Sequence, residues 1–265
     1  MRLAIFEDAK RYGTQVPPAR LIPQATAFSE SVSVVIPTLN EEARLPKLLE
    51  RLALEEPRAE IVVVDGGSSD ATTEKAQLWV DQVITTAPGR GFQLNEGAKA
   101  ATGDILWFLH ADSEPPKQSV GKIIEVLHNR PELLGGAFRL KFDHASFGMR
   151  AIAFGANVRS RLFSMPWGDQ GLFVRKSVFL ELGGFPDWPI MEDFAFQRLL
   201  AKRGKTVLMK ESLVTSARRY EKFGKLRALA MNFRTLWWYY RGKSAEEIQK
   251  KFRPLSEQGG GAYEK

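Results

Sequence analysis

Apolar residues along the chain fall into two kinds of pattern. Short blocks at residues 31–37, 61–65, 82–85 and 103–109 have the length and β-branched content of buried strands. Between the blocks, apolar positions recur every three or four residues, as with Leu45, Leu48, Leu49 and Leu52, which predicts helices. Strand, helix, strand, helix, strand, helix, strand is the order expected of an α/β fold with a mostly parallel central sheet flanked by helices. Further on, the pattern predicts a helix over 117–129, an alternating half-exposed strand over 135–142, a helix over 147–163 and a strand over 172–175.

The last stretch is amphipathic. Phe223, Leu226, Leu229, Phe233, Trp237 and Tyr240 recur at helical steps, with Lys222, Lys225, Arg227, Arg234 and Arg241 among the other positions. This apolar face is expected to pack on the rest of the chain, with contact to an anionic membrane or a dimer partner as alternatives. Residues 1–30 show no sustained period and are interrupted by Pro17, Pro18 and Pro23, which suggests a loosely packed arm; Gln258 onward reads as a Gly-rich, frayed tail.

Composition narrows the function classes. A chain of 265 residues with 44% hydrophobic content can bury one large core or two modest ones. It lacks cysteine, which excludes disulfides and thiolate chemistry, and its three histidines make a structural zinc site a poor expectation. No apolar run reaches the length of a membrane span and the first ten residues lack a signal-peptide core, so the expected location is cytoplasmic, with peripheral membrane contact through the basic aromatic helix. Residues 202–253 hold 15 basic and four acidic side chains, against a net charge of +7 for the whole chain, so the remainder is slightly acidic. Such a basic segment suits phosphates or anionic lipid; no nucleic-acid-binding motif accompanies it, and no nucleic-acid partner is expected.

Chemistry-bearing residues gather where predicted strands end, the edge at which an open α/β sheet meets its ligand. Asp112 closes the block 103–109 and can bind a divalent cation, or cap a following helix. Asp65 closes the second strand before Gly66-Gly67-Ser68-Ser69-Asp70; it can accept hydrogen bonds from a base or ribose, or serve the turn. Gly89-Arg90-Gly91 at a helix start can receive an anion, or make a glycine turn. No Gly-x-Gly-x-x-Gly follows the first strand and no P-loop spacing occurs, so neither a dinucleotide fold nor a P-loop nucleotidase is indicated.

Taken together, Val34-Val35-Ile36-Pro37-Thr38-Leu39-Asn40-Glu41-Glu42, Val63-Val64-Asp65-Gly66-Gly67-Ser68-Ser69-Asp70 and the Asp112 strand resemble the nucleotide-sugar half of the inverting family-2 glycosyltransferases, over roughly residues 32 to 220. Gly89 to Asn95 and Leu109 to Asp112 resemble a narrower bacterial subgroup of arsenosugar-biosynthesis transferases. The resemblance implies a GT-A fold with C-terminal amphipathic helices: a catalytic domain over 31–220, divided into a nucleotide-binding half (31–112) and an acceptor half (113–220), and a C-terminal helical part over 221–265. It implies that Pro37, Thr38, Asn40 and Glu41 line the nucleoside pocket, that Asp65 bonds the base, and that Arg90 and Gln93 lie near the base or diphosphate. Asp112 matches the last Asp of the family's Asp-x-Asp metal motif, for Mn²⁺ or Mg²⁺, while His110 stands where the first Asp belongs. Asp193 matches the catalytic base, with Asp169, Gln170 and Glu192 beside the donor sugar or the acceptor. The implied reaction moves a sugar from a nucleotide diphosphate donor, most simply a UDP-sugar, to a hydroxyl acceptor. A nucleotidyltransferase of related sheet architecture and a non-catalytic nucleotide-sugar binder are the competing expectations.

Overall fold

The computed structural model describes residues 30–144 and 146–257, with side chains described up to residue 252. The expected N-terminal arm, apart from Glu30, and the expected tail from Gln258 lie outside the described residues.

The blocks become strands because their residues are apolar on both faces. β1 (Val32–Thr38), β2 (Glu60–Asp65), β3 (Gln82–Thr85) and β4 (Ile105–Phe108) form a parallel unit in the order β3-β2-β1-β4. The seven-stranded sheet continues through β6 (Phe173–Arg175), β5 (Leu133–Phe142) and β7 (Lys205–Thr215). β6 runs antiparallel to both its neighbours, while β5 and β7 are parallel to each other. Two reversals restore direction, so β5 and β7 point the same way as β1, β2 and β4. The last residues of all five therefore face one edge, and the start of the reversed β6 faces it too.

Helices cover both faces. α1 (Leu45–Leu52) and α4 (Ser119–Asn129) bring Leu45, Leu48, Leu49, Ile123, Ile124 and Leu127 against Val34, Ile36, Val63 and Trp107. On the other face, α3 (Arg90–Ala100), α6 (Lys176–Glu181) and α7 (Glu192–Arg203) bury Leu94, Ala98, Phe179, Phe196 and Leu200 against Val35, Val62, Val64, Leu106 and Phe108. Val34 and Val35 enter different cores because successive strand residues point to opposite faces. Each such large side chain removed from water contributes about 1.5–3 kcal/mol toward the entropy cost of ordering the chain. α3 sits close to the sheet because Gly97 has no side chain; a Cβ there would meet Val35 and lie 2.8 Å from Val64 Cγ2. The short α2 (Thr72–Gln77) follows the β2 turn.

The second half adds α5 (Phe147–Phe163), capped by the Ser146 hydroxyl, then α8 (Arg218–Phe223), α9 (Lys225–Tyr240) and α10 (Ala245–Glu257). Gly224, at φ 78°, breaks the predicted C-terminal helix into α8 and α9. The structure also corrects the phase of that helix. α9 packs through Ala228, Met231, Thr235 and Trp238, and the predicted apolar stripe through Leu226, Phe233, Trp237 and Tyr240 faces outward. Among the described residues, no helix is long and apolar enough to cross a membrane.

Candidate active site

The loops after β1 and β2 are tied into one surface by short polar side chains. Asp65 is buried, and its two oxygens accept from the Thr38 hydroxyl (3.0 Å), the Ser68 hydroxyl (2.5 Å) and the amides of Gly67 (3.0 Å) and Ser68 (2.7 Å). Asn40 adopts φ 53°; its amide donates to Ser68 Oγ (2.8 Å) and its Oδ1 accepts from the Ser69 amide (2.9 Å). An Asn tolerates this left-handed backbone, which explains the residue at that turn. Pro37 is half-buried on β1 opposite Val64. Gln93 is buried beneath these loops: its amide nitrogen donates to Thr38 O (2.9 Å) and Val64 O (2.8 Å), and its oxygen accepts from the Gly89 amide (3.3 Å). The residue expected near the base or diphosphate thus holds β1, β2 and the start of α3 together.

Past β4, the chain turns at Ala111 and Asp112, and α4 starts only at Ser119, so Asp112 caps no helix. Its carboxylate instead lies 3.4 Å from a guanidinium nitrogen of Arg218, which also reaches Glu41 Oε1 at 3.0 Å. One arginine from beyond β7 therefore spans the loops after β1 and β4. No motif in the sequence marks Arg218; with β7 placed parallel to β4, the strand-end rule that singles out Asp112 covers it as well. Asp143, just past β5, fixes the approach by accepting from the Ala217 amide at 2.8 Å.

Beside this bridge lies a second group. Arg90, at the start of α3, pairs with the buried Glu192 and sits 3.7 Å from Asp193 Oδ2. Asp193 accepts from the amides of Gly168 (2.8 Å) and Phe194 (2.7 Å). Burial would raise its pKa, but the Arg90 charge and these amide bonds, with a smaller part from His110, hold the carboxyl below its usual range, so it is ionised at neutral pH. His110 is pulled down to about 4, mainly by burial and then by Arg90, and its imidazole is neutral. A Cβ on Gly168 would stand 2.9 Å from Asp193 Oδ2 and 3.3 Å from His110 Nε2, so this glycine lets the three groups converge.

The residues expected beside the sugar or acceptor are divided. Glu192 is buried behind Arg90 and orients it. Gln170 is buried too; its nitrogen donates to Phe138 O (3.0 Å) and its oxygen accepts from Ser160 Oγ (2.7 Å) and the Trp167 amide (3.2 Å), which shapes the Gly168–Gln170 turn. Asp169 has one oxygen buried without a partner, and burial pushes its pKa up to about 6 despite the nearby Arg159 charge.

Among the described residues, no three His, Asp or Glu side chains converge as a cation cage. Asp112 and the neutral His110 offer one hard oxygen group and one nitrogen ligand. Such a pair fits Mn²⁺ or Mg²⁺ only if a bound diphosphate supplies the remaining oxygens.

The chain is similar to known proteins. Residues 33–183 match the family model described as glycosyl transferase family 2. A dolichol-phosphate mannosyltransferase of Pyrococcus furiosus is 34% identical over 142 residues, covering 49% of this chain and 40% of that protein. The chain thus spans well under half the length of this curated relative. Among solved structures, the mannosyltransferase PcManGT from Pyrobaculum calidifontis, in complex with GDP-Man and Mn²⁺, aligns with a TM-score of 0.64 at 19% identity, covering 97% of this chain and 78% of that one. S. aureus TarS 1-349 in complex with UDP-GlcNAc gives 0.58 at 19% identity, covering 76% and 65%. These likenesses show the fold, an α/β GT-A architecture with a mainly parallel sheet flanked by helices. With its family model matched over more than half of its length, the chain belongs to glycosyl transferase family 2.

Proposed function

We propose that this chain is an inverting glycosyltransferase whose donor is a nucleotide diphosphate sugar, most simply a UDP-sugar. The observation that carries the reading is the convergence of Arg90, His110, Asp112, Asp193 and Arg218 on one sheet edge, beside the loops after β1 and β2. Support also comes from the nucleotide-sugar complexes of the structural neighbours and the names of the curated relatives. The motif at residues 89–95 and 109–112 supports membership of the arsenosugar-biosynthesis subgroup. Residues 31–112 serve as the nucleotide half, 113–220 as the acceptor half and 221–265 as the C-terminal helical part.

In this reading Pro37, Thr38, Asn40 and Glu41 border the nucleoside. Asp65 reaches the base only after the Ser68 hydroxyl turns away, since its four acceptor positions are otherwise used. The acceptor oxygen attacks the anomeric carbon from the side opposite the nucleoside diphosphate; the acceptor proton passes to Asp193, the bond to the diphosphate breaks, and the electron pair leaves with the diphosphate. Arg218 exchanges Glu41 and Asp112 for diphosphate oxygens and stabilises the charge that develops there. Asp112, with His110 beside it, would hold a divalent cation, which would supply Lewis-acid stabilisation of the same charge. Glu192 keeps Arg90 pointed at the site, and Asp169 faces the sugar or the acceptor hydroxyl. Gln93 and Gln170 act through the loops they hold. α9 makes a peripheral membrane contact.

Binding tests the donor site. Thermal shifts with UDP, GDP, dTDP and CDP, each with Mn²⁺ and with chelator, should show one nucleotide raising Tm in a metal-dependent way. No shift with any diphosphate would remove the donor site from this account.

A further inference from the structure

The outward faces of α5 and α9 match neither a core nor an ordinary surface. On α5, the exposed positions include Phe147, Ala151, Phe154, Val158 and Leu162, which recur at helical spacing. Phe147 is 89% exposed and Phe154 70%. On α9, Leu226, Ala230, Phe233, Trp237 and Tyr240 form a second exposed stripe, in which Leu226 is 85% and Phe233 70% exposed. Single exposed apolar residues are common, but two continuous stripes are not.

The helices are joined at both ends. Lys225 donates to Ser146 Oγ at 3.0 Å and lies against Gly148, while Met165 and Trp167, just past α5, pack in one cluster with Trp238 and Tyr239 of α9. Both helices are also continuous with the site: α5 leads to the Gly168 turn that holds Asp193, and α9 follows Arg218 through α8.

Charge decides what covers the stripes. α5 carries Arg150 and Arg161 at exposed positions, with Arg159 turned inward onto Gln170 and Trp167, α9 carries Lys225, Arg227 and Arg234, and neither helix contains an acidic residue. Just beyond α9, Arg241 stacks on the exposed Trp237, its guanidinium 4.6 Å from the ring centre. A second copy meeting this face about a two-fold axis would set cations against cations with no carboxylate of either helix to pair them. An anionic lipid surface accepts both features: the rings and aliphatic side chains enter the headgroup boundary and the cations meet lipid phosphates.

We infer that α5 and α9 together form a docking face for an anionic membrane surface. This deepens the membrane contact proposed for α9 alone, and it holds whatever nucleotide the site takes.

Co-sedimentation with phosphatidylcholine vesicles, with and without phosphatidylglycerol, tests it on the full chain. Each cation brought to an anionic surface strengthens binding by about fivefold, so the wild type should bind the anionic vesicles at least about tenfold more tightly than the neutral ones. Phe154→Glu on α5 and Phe233→Glu on α9 replace exposed side chains and should keep the wild-type Tm. Each alone should weaken vesicle binding by at least about fivefold, because a charge replaces a buried ring at the interface. Loss with Phe233→Glu and none with Phe154→Glu would leave α9 as the sole contact and overturn the two-helix face. A wild type that stays in the supernatant overturns it as well. If that wild type is a dimer which either variant dissolves, a second copy covers the face; if it is a monomer, the stripes are not a docking face for a membrane or for a second copy.

Discussion

Removing the Arg218 guanidinium separates its place in the fold from its place at the diphosphate. Its side chain is 47% exposed and pairs with Glu41 at 3.0 Å and Asp112 at 3.4 Å. Partly exposed pairs of this kind contribute about 0.2–1 kcal/mol each, so Arg218→Met should lower stability by no more than about 2 kcal/mol. Glu41 keeps Arg44 at 3.4 Å, which limits the loss further. A diphosphate is a stronger partner, because its oxygens can accept two parallel charge-assisted hydrogen bonds from one guanidinium, each worth about 1.5–3 kcal/mol. Taking the two bonds at their low end, about 3 kcal/mol, and subtracting up to about 2 kcal/mol for the carboxylate pairs given up on binding leaves about 1 kcal/mol or more, about fivefold or more in affinity. Calorimetric titration of a nucleoside, its monophosphate and its diphosphate into wild type and Arg218→Met measures this. The diphosphate should weaken by that factor while the nucleoside changes less than about twofold. Arg218→Lys should fall between, since a lysine restores charge without the planar fork. Equal losses for nucleoside and diphosphate, or no loss, would refute the placement of Arg218 on the diphosphate.

Three further outcomes follow from the geometry. Asp169 is more easily protonated in the folded chain, at about 6, than at its ordinary value of 3.8, so the folded state holds the extra proton and loses stability as pH rises through that window. Asp169→Asn removes this term; its Tm relative to wild type should climb between about pH 4 and 7, by the equivalent of on the order of 3 kcal/mol, and a constant difference would show that Asp169 is not perturbed. Gly97→Ala overpacks the seam of α3 against Val35 and Val64 and should cost about 1–3 kcal/mol in urea denaturation, whereas an unchanged midpoint would mean that α3 yields freely. Gly168→Ala puts a methyl 2.9 Å from Asp193 Oδ2 and should lower turnover with nucleotide binding retained; a parallel loss of binding would place Gly168 in the nucleotide pocket instead.

Much of the fold was legible because β1, β2 and β4 are buried on both faces and leave unbroken apolar runs, and the helices between them keep a clean period. β6 is only three residues long, and its reversal leaves no mark on its composition. Asp112 could be singled out from a local signal, a strand end, and Asp193 from the family resemblance. Arg218 could not, because its partners Glu41 and Asp112 come from distant parts of the chain that only the sheet order brings together. Gln93 and Gln170, which the family resemblance places near the ligand, are buried with their amides bonded to backbone groups and, for Gln170, to Ser160 as well, and burial cannot be read from residue type. In α9 the period was right and the phase wrong, since large apolar residues occupy both faces and the sequence alone does not rank them.

The central claim, sugar transfer with Asp193 as base, is met most directly by following the nucleotide product. Wild type and Asp193→Asn are incubated with Mn²⁺ and the sugar donor of whichever nucleotide stabilises the fold, and released nucleotide is separated by ion-exchange chromatography. The account expects nucleoside diphosphate from the wild type, and from Asp193→Asn a rate lower by at least about 100-fold with donor affinity retained, as for loss of a general base. Undiminished release by Asp193→Asn would contradict the assignment of the base. Turnover of a nucleoside triphosphate with release of pyrophosphate would contradict sugar transfer itself.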